Sequence, residues 1–109
     1  PSLANAHFNL GNILMARGHL REAIRHFGLA AENAPEFPEA WNNLGIGLAR
    51  EGRLDEAVEA FRESLRAYPH GESARSNLLH AADLYRKQNQ PDREKSIRLF
   101  LEDLPTPHP

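Results

Sequence analysis

Residues 41–69 read WNNLGIGLAREGRLDEAVEAFRESLRAYP, and this stretch decides the fold. Trp41, Leu44 and Leu48 recur at spacings of three and four, which places them on one stripe of a helix. Gly52 follows among polar residues, as where a helix ends in a left-handed cap that glycine adopts cheaply. Leu54, Ala57, Val58 and Phe61 then repeat the stripe, and Pro69 stops it because proline cannot continue a helix interior. The stretch predicts a helix, a turn and a second helix.

Moving 34 residues toward the N-terminus meets the same pattern. Leu10, Gly11, Leu14, Gly18, Leu20, Ala23, Phe27 and Pro35 stand 34 positions before Leu44, Gly45, Leu48, Gly52, Leu54, Ala57, Phe61 and Pro69. The ninth rung differs, with His7 where the later unit has Trp41. Gly11 and Gly45 fall inside helices, where glycine costs about 1 kcal/mol relative to alanine. Close approach of Ala23 and Phe27, and of Ala57 and Phe61, is the expected offset. A fixed period of this length marks stacked helical pairs whose core runs between neighbours. The 109 residues are thus better counted as three pairs and a tail than as one globule.

Outside the two regular units the register fades. In residues 72–104, Ala74, Leu78, Ala81, Ala82 and Tyr85 make one amphipathic helix, but the repeat's glycine is Leu79 and its alanine falls on Pro91. A last helix is predicted from Pro91 or Asp92 to Leu104, with Ile97, Phe100, Leu101 and Leu104 as its stripe, nine residues later than two periods would place them. The segment reads as a divergent third pair capping the stack. Residues 105–109 are too rich in proline for a helix and read as an extended tail or linker.

The expected fold class is therefore all-α, an α-solenoid of antiparallel helical pairs, with the domain over 1–104 and repeats at about 4–37, 38–71 and 72–104. The string Trp41-x-x-Leu44-Gly45-x-x-Leu48, Ala57-x-x-x-Phe61 and Pro69 resembles the tetratricopeptide repeat (TPR) pattern. Two such repeats cover residues 4–71. The first departs from the pattern at His7, in the tryptophan position, and at Leu14, in the usual aromatic position.

Composition excludes several functions. Cysteine is absent, which removes disulfides, thiolate metal sites and cysteine nucleophiles. Thirteen Lys and Arg against fifteen Asp and Glu leave a formal charge of −2, far from the basic surplus that nucleic acid or an anionic membrane needs. No run approaches the length of a membrane span, and no charged-then-apolar leader opens the chain. A missing leader says little about a chain that starts at Pro1, so the compartment stays open, with the cytoplasm favoured.

No catalytic apparatus is legible, so an enzyme is not expected. The six histidines form no pair at i,i+4; only His19 and His26 share a face, two turns apart, and no metal or cofactor is expected. Asp55, Glu56, Glu59 and Glu63 lie opposite an apolar stripe with Arg62 and Arg66 nearby, the pattern of a solvated, ion-paired face. Ser64, Ser73, Ser76 and Ser96 lack a nucleophile elbow or a partnered base.

The amides carry more information. Asn9, Asn43 and Asn77 are spaced by 34 and 34, and Asn5, Asn12 and Asn42 share their helices. Asparagine is a middling-to-poor helix former, so such repetition has a use. First helices of stacked pairs line the inner, concave surface, where an amide offers a donor and an acceptor to a peptide backbone. Two roles stay open for these residues, bonding between adjacent helices and contact with a peptide. The ladder resembles the asparagines lining the TPR superhelix of O-linked N-acetylglucosamine transferases, which implies a peptide groove. Chaperone-binding TPR domains instead grip a C-terminal carboxylate with amides and cations. Asn12 and Asn43 match those amides, but the cationic positions are Phe8, Ser73 and Asn77 here, so that grip is not expected.

The expected function is a protein–protein interaction module binding an extended peptide or partner helix on a neutral concave face. Its candidate residues are Asn5, Phe8, Asn9, Asn12, Asn42, Asn43, Ile46, Arg50 and Asn77, with Phe8 equally suited to the core. A substrate-docking or regulatory arm of a larger enzyme, such as a glycosyltransferase, is the alternative. Self-association through an open end near Leu3 and Phe8 is a third reading.

Overall fold

The computed structural model describes residues 3–105. Six helices follow one another: α1 Leu3–Ala16, α2 Leu20–Asn33, α3 Pro38–Arg50, α4 Leu54–Ala67, α5 Glu72–Lys87 and α6 Pro91–Glu102. No strand occurs among the described residues. Consecutive helices pack as the hairpins α1–α2, α3–α4 and α5–α6, and each hairpin stacks on the next through α2–α3 and α4–α5. Of the expected tail, residues 106–109 lie outside the described residues, as do residues 1 and 2.

Both predicted glycine caps are present. Gly18 has φ 82° and Gly52 φ 84°, and in each turn two amides cap the helix end. His19 N–H donates to the Leu14 carbonyl at 2.9 Å and Gly18 N–H to Met15 at 3.0 Å; Arg53 and Gly52 repeat this onto Leu48 and Ala49. This pair of bonds satisfies carbonyls that the helix end leaves open. The third hairpin turns the same way, with Gln90 N–H on Tyr85 and Asn89 N–H on Arg86, but its left-handed residue is Asn89 at φ 62°.

The third pair departs from the expected register in a specific way. The second helices begin at Leu20, Leu54 and Pro91, so α6 starts 37 residues after α4 rather than 34. The helix begins at Pro91, as its sequence implied, and ends at Glu102, short of the expected Leu104. Seven residues after these starts stand Phe27, Phe61 and Arg98. Where the earlier pairs set a phenylalanine against a glycine, this pair has Arg98 and Leu79. Leu79 is exposed, and Arg98 is held by Glu94 at 3.1 Å and Asp83 at 3.4 Å. Two changes in opposite senses, glycine to a large residue and phenylalanine to a charged one, accompany each other.

The core is quasi-linear. Phe61, Leu65, Leu78, Tyr85, Ile97 and Leu101 anchor its C-terminal part, and Ala30, Ala31 and Ala40 form the α2–α3 contact, where small side chains let helices approach. Phe8, Phe37 and Trp41 pack around those alanines. Buried Ser64 donates to the Pro38 carbonyl at 2.8 Å, so its hydroxyl is satisfied. Asp55 joins three helices: it accepts from the Tyr85 hydroxyl and pairs with Arg93 at 2.7 Å. Burial, then the Asp55 carboxylate, push the Tyr85 phenol above its ordinary range.

Candidate functional site

Stacking the hairpins sets the first helices α1, α3 and α5 side by side, and amides tie them together. Asn43 Nδ2 donates to Asn12 Oδ1 at 2.8 Å, linking α3 to α1. Asn42 Nδ2 donates to Ser73 Oγ at 3.0 Å, and Asn77 Nδ2 to Asn42 Oδ1 at 3.1 Å, linking α5 to α3. Four of the expected site residues are thus bonded across repeats. Each of these bonds takes up only part of an amide, which carries two N–H donors and an acceptor with two lone pairs.

The remaining candidates divide. Asn5 and Asn9 are exposed on α1. Phe8 is half-buried, and its ring meets Phe37 at 4.7 Å and Phe27 at 5.9 Å between centroids, so its contacts are those of a core residue. Ile46 and Arg50 lie on α3 beside a cleft whose other wall is α5 and whose floor is α4. The cleft has a volume of about 370 Å³. Buried or half-buried Ile46, Leu54, Phe61, Ala81 and Leu84 give it an apolar lining, while Arg50, His80 and Gln88 are exposed at it.

Sequence reading missed the α5 wall, although a signal was there. His80, Leu84 and Gln88 follow Asn77 at three, seven and eleven residues, the same helix face. It also missed a contact of His26, which meets His7 of α1 at 3.0 Å between Nδ1 atoms rather than sharing a site with His19. The acids Glu59 and Glu63 form ion pairs with Arg62 and Arg66, as their spacing implied. Among the described residues no group of three or more His, Cys, Asp or Glu side chains gathers as metal ligands, and no helix is long and apolar enough to cross a membrane.

Known proteins agree with this architecture. Tetratricopeptide repeat protein 8 of Caenorhabditis elegans is 43% identical over 54 residues, which is 50% of this chain and 11% of that protein. The peroxisomal targeting signal receptor of Kluyveromyces lactis is 35% identical over 69 residues, 63% of this chain and 12% of the receptor. Response regulator aspartate phosphatase E of Bacillus subtilis is 28% identical over 103 residues, 89% of this chain and 27% of that protein. The crystal structure of MamA superposes with a TM-score of 0.74 at 19% identity, covering 92% of this chain and 57% of MamA, and shares its fold. The chain spans only a small part of the curated relatives it matches. Tetratricopeptide repeats serve generally as protein–protein interaction modules rather than catalysts. The profile of that family matches residues 4–72, and the chain belongs to the tetratricopeptide-repeat family.

Proposed function

We propose that the chain binds an extended peptide segment of a partner protein along the face formed by α1, α3 and α5. The observation that carries this reading is the row of first helices joined by amide bonds, with the apolar α3–α5 cleft opening on it. Amide groups left over from the inter-helix bonds suit a peptide backbone, whose N–H and C=O repeat without regard to side chains. The K. lactis relative, a receptor for a targeting signal by its name, supports a peptide ligand. Binding is moderate in strength, because the face is short and ordering the peptide opposes association.

A peptide array tests the reading. Wild type is expected to hold peptides of varied sequence, and Asn9→Ala/Asn43→Ala to hold them all more weakly. Equal binding by a double mutant that keeps its helical circular dichroism removes the role of the amides.

The small share of each relative that the chain covers favours a second reading, a docking arm within a larger enzyme such as a glycosyltransferase. Sequencing the complete parent polypeptide decides it: a catalytic domain supports the arm, and its absence removes it. Exposed Leu3, Leu10 and Ile13 on α1, a helix without a charged residue, favour self-association through that face. Light scattering across a concentration series is expected to show dimer that Leu10→Lys abolishes; a monomer throughout refutes it.

A further inference from the structure

The chemistry of the α3–α5 cleft narrows the ligand further, resting on the peptide reading above. Its lining holds no Asp or Glu, yet Arg50 on α3 and His80 on α5 both border it. Among the described residues Arg50 belongs to no ion pair. The acid next to it in sequence, Glu51, is bound at 3.0 Å by Arg53, which Glu56 holds from the other side at 2.7 Å. The guanidinium of Arg50 is therefore a cation at the edge of an apolar cavity with no acid of this chain assigned to it. A volume of about 370 Å³ lies at the lower end of small-ligand sites and has room for one bulky side chain.

We infer that the cleft takes a bulky apolar side chain of a bound peptide, and that Arg50 binds the carboxylate of an Asp or Glu adjacent to it. Phe61, Leu54 and Leu84 remove the apolar group from water, and this contact supplies the affinity. The guanidinium offers five N–H donors in a planar fork that matches a carboxylate, and a hydrogen bond to a charged group is stronger than a neutral one. His80 on the facing wall gives a second donor from an imidazole N–H.

The test uses fluorescein-labelled octapeptides with amidated C-termini, carrying a central Leu-Asp, Leu-Asn, Leu-Lys or Ala-Asp, read by fluorescence anisotropy against the full chain. Leu-Asp is expected to bind about tenfold more tightly than Leu-Asn, the size of one charge-assisted hydrogen bond at a partly desolvated site. Ala-Asp is expected to bind weakly, because the cavity goes unfilled. Arg50→Glu, at an exposed position that leaves folding intact, should reverse the order to favour Leu-Lys over Leu-Asp. Leu84→Trp should fill the cleft and weaken every Leu peptide. Equal binding of Leu-Asp and Leu-Asn, or an unchanged order in Arg50→Glu, overturns the acidic preference. In either case the peptide reading survives if Asn9→Ala/Asn43→Ala still lowers binding of both peptides. Failure of every octapeptide and every array peptide to bind overturns both.

Discussion

The ring of Phe61 lies directly against the backbone of Gly45: a Cβ built on that glycine would sit 2.4 Å from Phe61 Cε1. The relationship recurs 34 residues earlier, where a Cβ on Gly11 would sit 2.7 Å from Cε1 of Phe27. Both rings are buried, so neither moves aside freely. Alanine is the better helix former by about 1 kcal/mol, yet Gly45→Ala is expected to lower the melting temperature because the overlap exceeds that gain. Gly45→Leu is expected to cost about 1–3 kcal/mol or more through overpacking. A thermal melt in which either variant matches wild type would refute the close-approach account.

This contact was legible in sequence because packing and periodicity coincide. Glycine and phenylalanine recur at fixed positions since each hairpin solves the same steric problem. The third pair was less legible, because its solution differs: Leu79 replaces the glycine, Arg98 stands at the phenylalanine position, and Asn89 makes the turn three residues late. Conformation is conserved there while residue identity is not. The amide face was readable as a face, but the partners of its amides were not. Spacing places Asn12 and Asn43 on first helices, whereas only the stacking of hairpins brings them within 2.8 Å. The contact of His7 with His26 was illegible for the same reason, since a pair across two helices leaves no periodic signal.

The turn at Asn89 is open to a direct test. Its φ of 62° is left-handed, a region that asparagine tolerates and β-branched residues do not. Asn89→Gly is expected to be neutral or slightly stabilising, and Asn89→Val to cost about 1–2 kcal/mol. Urea denaturation of the two variants checks this, and similar midpoints for both would show that the turn does not depend on the left-handed residue.

Leu10, Leu44 and Leu78 occupy one register position, yet Leu10 is 41% exposed and Leu78 is 0% exposed. The second helix of the preceding pair packs over α3 and over α5, and none among the described residues packs in that way over α1. Substitution at equivalent positions should therefore have unequal effects. Leu78→Ala is expected to cost about 2–5 kcal/mol, and Leu10→Ala, measured at a concentration where the chain is monomeric, to stay within about 0.5 kcal/mol. Comparable losses in chemical denaturation would contradict the exposure of α1.

Acid should loosen the first hairpin through its histidines. His7 and His26 stack with centroids 5.2 Å apart and Nδ1 atoms at 3.0 Å, a separation that holds one N–H between the two nitrogens, whereas a proton on each Nδ1 would set two N–H groups against each other. Desolvation, then the charge of Arg25 and then His7 lower the pKa of His26 below 6.5, against an opposing effect of Glu22. Below pH 6.5 the unfolded chain therefore binds more protons at His26 than the folded chain does, and stability falls as pH falls until the folded pKa is passed. Above that window the group contributes no pH dependence. Arg53 holds the Glu56 carboxyl below its ordinary 4.5, which moves its titration away from the histidine range. The melting temperature is expected to be lower at pH 5.5 than at pH 7.5 (chosen at about one unit on either side of an unperturbed histidine), and His26→Gln should reduce the difference while keeping a hydrogen-bonding side chain. The effect is small because both rings are partly solvated. Equal pH dependence in wild type and His26→Gln would assign the acid sensitivity to other groups and leave the histidine contact a matter of packing alone.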